Sequence, residues 1–444
     1  MAAAAVQCSI AIIVCATAAV LAGLRSNAVV TVAQTDPFRS PRAPRTVDIS
    51  SDGRTVVFQS LARLVPADTN NTPDIYVFDR TTGRVTLESV DPDAIEHSHP
   101  RTSADGRYLV FESLHEGRTG ADIVFRDRAE ATVRPLTGPL RGAVPQAWSR
   151  SPAISGDGRV VAFSSAATTL VDGEDANGAL EDVYLVTLPA GRITRASLSS
   201  AGVQLARGNS ILPSLSGDGR WIAFASTAPL TEKDGVIPSQ RDKPYRQVYL
   251  RDVRDGLTRR VTRAANGSAP NGDSSLPSIS GDGRYVTFVS EASNLLDDDQ
   301  NQSADVLLYD RDADAISWVS RGADGSSANG ESSNPVISSD GRFVAFQSDA
   351  SNLVCSKKCS EQADDINLLW DAFLFDRTTG RIVRVSEDDL GGWMESSAGP
   401  ALDGTGSVVA FSSRHPVDAA DRGDDFDLFV RAMTPPPLVT RKFP

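Results

Sequence analysis

Apolar positions in this chain come in short bursts closed by Gly, Asp, Ser or Pro, the pattern of strands and tight turns rather than of helices. One burst recurs seven times as an apolar strand, an Asp-Gly turn and a second apolar strand ending in F-x-S. The copies read ISSDGRTVVFQS (49–60), TSADGRYLVFES (102–113), ISGDGRVVAFSS (154–165), LSGDGRWIAFAS (215–226), ISGDGRYVTFVS (279–290), ISSDGRFVAFQS (337–348) and LDGTGSVVAFSS (402–413). The turn residues Asp52, Asp105, Asp157, Asp218, Asp282, Asp340 and Asp403 stand 52 to 64 residues apart. Self-similarity at this period predicts an array of supersecondary units, each burying its faces against its neighbours.

A second strand-turn-strand unit follows each hairpin after a variable loop: 74–90, 122–136, 182–198, 247–261, 305–320, 371–386 and 427–443. One repeat is therefore four antiparallel strands, a to d, and four-stranded sheets repeated radially form a propeller. The prediction is an all-β, seven-bladed β-propeller over 34–444, with blades at about 45–90, 99–137, 150–198, 211–263, 275–321, 334–386 and 399–443. Strand b is apolar on both pleat faces, as in Val56, Val57 and Phe58, which suits a sheet sandwiched between sheets. The Asp-Gly pair is explained by turn chemistry, so DGR reads as scaffold rather than as a binding motif. Residues 438–443 are expected to supply the outer strand of the last blade.

Composition refines this picture. With 444 residues, 40% hydrophobic and 23% charged, the chain is globular, and its length does not count domains in a repeat fold. Residues Val6 to Leu24 form an uncharged small and apolar run. It reads as a signal peptide (1–33) cleaved after Thr31-Val32-Ala33, or as an uncleaved membrane anchor, since no Lys or Arg precedes it. Either way the propeller is expected outside the cytoplasm, periplasmic or secreted, and membrane-attached only if uncleaved. Cys8 and Cys15 lie in this run; Cys355 and Cys359 are expected to form a local disulfide, a metal pair being the alternative.

The recurring P-x-[IL]-S-x-D-G-R-x-[VI]-x-F-x-S, followed by D-[IV]-[YF]-x-x-D-R-x-T-G, resembles the WD40-like repeat of TolB-type β-propellers. The resemblance runs from residue 45 to about 443 and is strongest to exported bacterial propellers built of this repeat alone. It implies a propeller without the α/β domain of TolB or the hydrolase domain of prolyl-oligopeptidase relatives.

In such a ring the a–b and c–d turns share one face, and the b–c loops and d–a connections share the other. The loops vary, and variable loops on a rigid scaffold are where recognition usually resides. The b–c windows 66–74, 172–182, 291–305, 361–371 and 418–427 hold 21 of the 57 acidic residues and one basic residue, Arg422; they carry −20 in a chain of net −13. An acidic rim draws cations and cationic partners and disfavours nucleic acid. Within it D-x-N recurs: Asp68, Asn70 and Asp74; Asp175, Asn177 and Glu181; Asp299, Asn301 and Asp305; Asp365, Asn367 and Asp371; and, more loosely, Asp421, Asp425 and Asp427. Oxygens at alternating loop positions suit Ca²⁺. They equally suit Asx turns that start strand c.

Trp148, Trp370 and Trp393 map to the same face, for stacking or for blade packing. No G-x-S-x-G occurs, and His97, His99, His115 and His415 are the only imidazoles. The expected function is a monomeric, non-catalytic scaffold that binds a protein, peptide or envelope polysaccharide across the loop face. The alternative is a metal-dependent, lyase-like enzyme acting on polysaccharide at the central opening.

Overall fold

The computed structural model describes residues 29–35, 47–137 (apart from 92 and 119), 148–231, 244–354 (apart from 265 and 267), 369–387, 394, 396–414 and 426–433. These contain twenty-eight strands, β1 to β28 in chain order, in seven four-stranded antiparallel sheets. Blades 1 to 6 are β2–β5 (Val47–Leu87), β6–β9 (Ala94–Pro135), β10–β13 (Ser149–Arg195), β14–β17 (Ser210–Arg260), β18–β21 (Ser274–Trp318) and β22–β25 (Ser332–Arg384). Blade 7 is β26 (Ser397–Leu402), β27 (Val408–Ser413), β28 (Phe426–Ala432) and, at its outer edge, β1 (Val29–Thr35).

The last strand corrects the sequence expectation. The outer edge of blade 7 is filled from the N-terminus, with Val29 opposite Arg431 and Thr35 opposite Phe426. Residues 438–443 lie outside the described residues, after the Pro435–Pro437 run. Three prolines in a row supply no ladder N–H, whereas Val29–Thr35 is a β-branched run that can donate throughout. The overlap also places the expected cleavage point, Ala33, inside a paired strand. Val6 to Leu24 lies outside the described residues, among which no helix is long and apolar enough to cross a membrane.

The core sits between blades. Val56 and Phe58 pack with Ala401, Val408 and Leu428 of blade 7, while Val57 on the opposite pleat packs with Leu109 and Phe111 of blade 2. In blades 1, 3, 4, 6 and 7 the repeated Phe of strand b stacks on a ring of strand c, as Phe58 does on Tyr76 at 5.8 Å and Phe346 on Phe373 at 5.6 Å.

The turn face repeats one arrangement in five of the seven blades; strand c of blade 3 ends in Thr187, and Ser407 replaces the Arg in blade 7. In blade 5, Ser280 Oγ donates to Asp282 Oδ1 (2.6 Å), which also accepts the Arg284 N–H (2.9 Å) across Gly283 at φ +68°. Arg284 forks onto Asp310 at the end of strand c (3.0 and 2.8 Å), and Arg311 donates to Gly283 O (2.9 Å) while lying over the Trp221 ring of blade 4. D-G-R and D-R are thus two halves of one brace. Seven backbone hydrogen bonds then run from blade to blade around the axis. They join Ser51 to Ala104, Ala104 to Gly156, Asp157 to Gly217, Gly217 to Gly281, Gly281 to Ser339, Asp340 to Gly404 and Gly404 to Ser51, at 2.8–3.2 Å. The position before the turn Asp is small because a Cβ on Gly281 would lie 2.9 Å from Ser339 O.

Candidate functional site

Strand a of blades 2 to 7 carries a bulge, and its residue before the proline is left-handed: His99, Ser151, Leu212, Leu276 and Asn334 at φ 49–56°, and Gly399 at φ 59°. The bulge turns its N–H toward the preceding blade, where Ser151 N donates to Glu112 Oε1 (2.7 Å) and Gly399 N to Gln347 Oε1 (2.9 Å). His99, Ser151, Leu212, Leu276 and Asn334 line a central cavity of about 220 Å³. Its blade 1–2 side is charged: His99 Nδ1 lies 3.2 Å from Glu112 Oε2, and Asp48 accepts the Thr102 N–H. Burial lowers the pKa of Arg101, opposed by Asp48 and Glu112. Leu212 and Leu276 form the far wall. The cavity is smaller than the roughly 300 Å³ at which small-molecule sites begin.

The described histidines do not converge there. His97 is buried between blades 1 and 2, edge-on to Phe111, with Nε2 3.9 Å from Asp74 Oδ1. His115 bonds Asp91 (2.9 Å), and His415 lies outside the described residues. Among the described residues no group of three or more His, Cys, Asp or Glu is arranged to hold a metal.

The D-x-N loops sort into different fates. In blade 1 they form Asx turns: Asp68 Oδ1 accepts Asn70 N (3.2 Å), and Asn70 Oδ1 accepts Thr72 N (3.1 Å). Asp68 Oδ2 takes the Tyr76 hydroxyl, and Asp74 Oδ1 takes Ser89 Oγ (2.6 Å). In blade 3 the sequence register is off by one. Asp182, not Glu181, starts strand c and faces Asp175 and Asn177; Glu181 points away and is forked by Arg150 (2.6 and 2.6 Å). Asp365, Asn367, Asp421, Asp425, Cys355, Cys359 and Trp393 lie outside the described residues. Asp371 and Asp427 are buried at the starts of their strands c.

Sequence reasoning missed the rule governing that first strand-c position. Its carboxylate accepts a hydroxyl from the end of strand d, as Asp182 does from Ser197 (2.6 Å) and Asp371 from Ser386 (2.5 Å). The second oxygen then meets a blade-specific partner: Arg118 for Asp122, Arg195 for Asp182 (3.2 Å), Arg384 for Asp371 (3.9 Å). Blade 4 has neutral Gln247, which takes Thr262 Oγ1 (2.6 Å). Burial raises the pKa of Asp74, Asp182 and Asp299, and pushes Asp305 up to about 7.

The loop face also carries exposed apolar side chains. Leu61, Val90, Trp148, Leu180 and Val203 sit on b–c or d–a segments of blades 1 to 3, Ile95 at the start of strand a of blade 2, and Leu369 before strand c of blade 6; Trp148 is 54% exposed. Trp370 is half-buried.

The architecture is therefore a seven-bladed β-propeller, with repeats like those of the TolB type. No protein-family model matches the sequence, and no curated protein does. Solved structures do. An oligogalacturonate lyase from Vibrio parahaemolyticus is 10% identical, with 92% of this chain and 97% of that one covered and a TM-score of 0.53. The β-propeller domain of the Trilobed protease from Pyrococcus furiosus is 12% identical over 88% and 96% of the two chains, with a TM-score of 0.50. A putative TolB from Agrobacterium tumefaciens is 19% identical over 63% and 82%, with a TM-score of 0.40. At these identities the likeness is one of fold.

Proposed function

We propose that this chain is an exported, monomeric, non-catalytic scaffold that binds a protein or peptide with basic and apolar side chains across the loop face of blades 1 to 3. The observation that carries this reading is the arc of exposed Leu61, Val90, Ile95, Trp148, Leu180 and Val203 beside acidic loops. Isolated surface apolar residues are ordinary, but clustering on the variable face of a rigid ring points to contact. Aliphatic anchors outnumber the single indole, which favours a polypeptide over a sugar chain that would stack on aromatic rings. The acidic rim favours cationic segments. Export is supported by the apolar run from Val6 to Leu24.

Selection of peptides from a display library on the purified chain tests this. Enriched sequences should combine Lys or Arg with apolar residues, weaken as salt rises, and lose about tenfold or more on a Trp148→Ser, Leu180→Ser double variant. Binders that are acidic, or that the double variant retains equally, would sink the proposal.

A further inference from the structure

Blades 3 and 5 build the same loop with different occupants. In blade 3 the side-chain amide of Gln204 reaches into the D-x-N group, its Nε2 2.7 Å from Asp175 Oδ1, 2.8 Å from Asn177 Oδ1 and 2.7 Å from Asp182 Oδ2. Arg195 neutralises the carboxylates, 3.4 Å from Asp175 and 3.2 Å from Asp182. The position at the centre of the three oxygens is thus held by a donor, and the charge by a guanidinium.

Blade 5 keeps the oxygens and changes both partners. The strand-d residue facing the third residue of strand c is Arg195 opposite Tyr184 in blade 3 and Trp318 opposite Leu307 in blade 5. Trp318 Nε1 donates instead to Asp298 (2.8 Å), and Arg321 also turns to Asp298 (2.5 Å). The Gln204 position is taken by Ser327, which receives the Gln300 N–H (3.3 Å) as Gln204 receives that of Ala176 (2.9 Å) but is too short to reach further. Asp305 is 1% exposed; its Oδ1 accepts Ser320 Oγ (3.0 Å), while its Oδ2 and the Oδ1 of Asp299 are buried without a hydrogen-bond partner. Asn301 Oδ1 accepts one bond, from Ser303 N (3.0 Å), and has a lone pair to spare. Among the described first residues of strand c in blades 1 to 6, Asp305 alone is a carboxylate facing no Arg or His.

We propose that the b–c loop of blade 5 binds a hard divalent cation of the calcium type between Asp299 Oδ1 and Asp305 Oδ2, with Asn301 Oδ1 as a third ligand. Two buried carboxylate oxygens without donors are costly unless a cation or a proton meets them. The burial that pushes Asp305 upward is what such a cation would offset. Three protein oxygens leave several of the 6–8 positions of calcium to water, so affinity is expected in the range of about 10⁻⁴–10⁻³ M. Blade 1 is a different case, because Tyr76 occupies Asp68 and His97 faces Asp74.

Terbium, a luminescent stand-in for calcium, tests the site in the full chain, because Trp318 lies beside it as a sensitiser. Indole-sensitised emission is expected in the parent chain, competed by millimolar calcium. Trp318→Phe should remove most of it while calcium still raises the melting temperature by about 1–2 °C at ten times Kd. Asp299→Asn and Asp305→Asn should each abolish emission and shift, and Asp175→Asn should leave both. Asp299 is a half-buried loop residue, so that variant keeps the test open if Asp305→Asn fails to fold. Emission that survives both substitutions, or a thermal shift that sodium chloride of matched ionic strength reproduces, would overturn the proposal. So would a parent chain whose melting temperature calcium leaves unchanged between pH ~6 and ~8, since Asp305 would then be held as the neutral acid.

Discussion

Strand c of blade 5, Asp305–Asp310, begins and ends with the same residue and treats it in opposite ways. At the turn face the Arg284 fork is the main influence on Asp310, and it holds that carboxyl below its ordinary range against the effect of burial. At the loop face burial pushes Asp305 up to about 7, with no cation acting on it. Blade 1 repeats the contrast, with Asp79 lowered (burial outweighed by hydrogen bonds from Arg54 and the Thr81 and Thr82 amides) and Asp74 raised by burial. The turn face answers its own charges in the same way in blades 1, 2, 4, 5 and 6, where the Arg after the turn pairs with the Asp that ends strand c. The loop face leaves its charges to whatever each blade supplies. Stability is therefore expected to reside at one end of the ring and ligand chemistry at the other.

The hardest way to break that division is to open the ring. A chain beginning at Val29 keeps β1, whereas one beginning at Gln34 loses five of its seven residues and leaves β28 as an edge. The shorter chain should lose cooperative unfolding or melt many degrees lower in calorimetry. Equal melting of the two would mean that the axial ring of hydrogen bonds suffices for closure. The comparison also bears on export, because cleavage after Ala33 would remove the closing strand. A cut after Ser26-Asn27-Ala28 would leave it whole.

A smaller lesion on the turn face is Gly281→Val. Its Cβ would meet Ser339 Oγ at 2.3 Å and Ser339 O at 2.9 Å, where two backbones are bonded across a blade interface. Overpacking at such a contact costs about 1–3 kcal/mol, measurable as a lower urea midpoint at unchanged slope. Peptide binding and the terbium signal should stay as they are. Loss of either would mean that the two faces are mechanically coupled.

The fold was legible because its determinants are local and repeated. Asp-Gly turns, two-sided apolar strands b and the spacing of the hairpins each point to one blade without help from distant residues. Closure was less legible, since β1 is separated from β28 by nearly the whole chain and no local signal pairs them. At the loops the sequence exposed the acids but not their partners. Arg195, Gln204 and Trp318 act across a sheet or a d–a connection, and only register shows that Trp318 stands where Arg195 does. The slip from Asp182 to Glu181 has the same origin, because adjacent residues of an extended chain point to opposite sides.

The smallest expected effect sharpens the contrast between the two strand ends. For Asp305 the folded pKa of about 7 exceeds the ordinary 3.8, so over that window the folded chain holds a proton that the unfolded chain has released. Stability from this group is highest below about 3.8 and is lost as pH rises toward about 7. Asp376 runs the other way: burial opposes it, but hydrogen bonds from Arg342 and Thr378 hold it at about 2, so its contribution is lost only as pH falls from 3.8 through about 2. His97, lowered by burial from 6.5, loses stability as pH falls below that value, so the raw profile of the parent chain mixes signs. The informative quantity is the difference between the parent chain and Asp305→Asn, both in chelator. Between pH ~6 and ~8 the parent should lose about 1–2 °C relative to the variant, roughly 1.4 kcal/mol for one unit of linked titration in a chain this long. Saturating calcium should flatten that difference, because a cation replaces the proton at Asp305 Oδ2. Parallel profiles would mean that Asp305 does not titrate in this range, and the contrast between the two ends of strand c would then rest on the Arg284 fork alone.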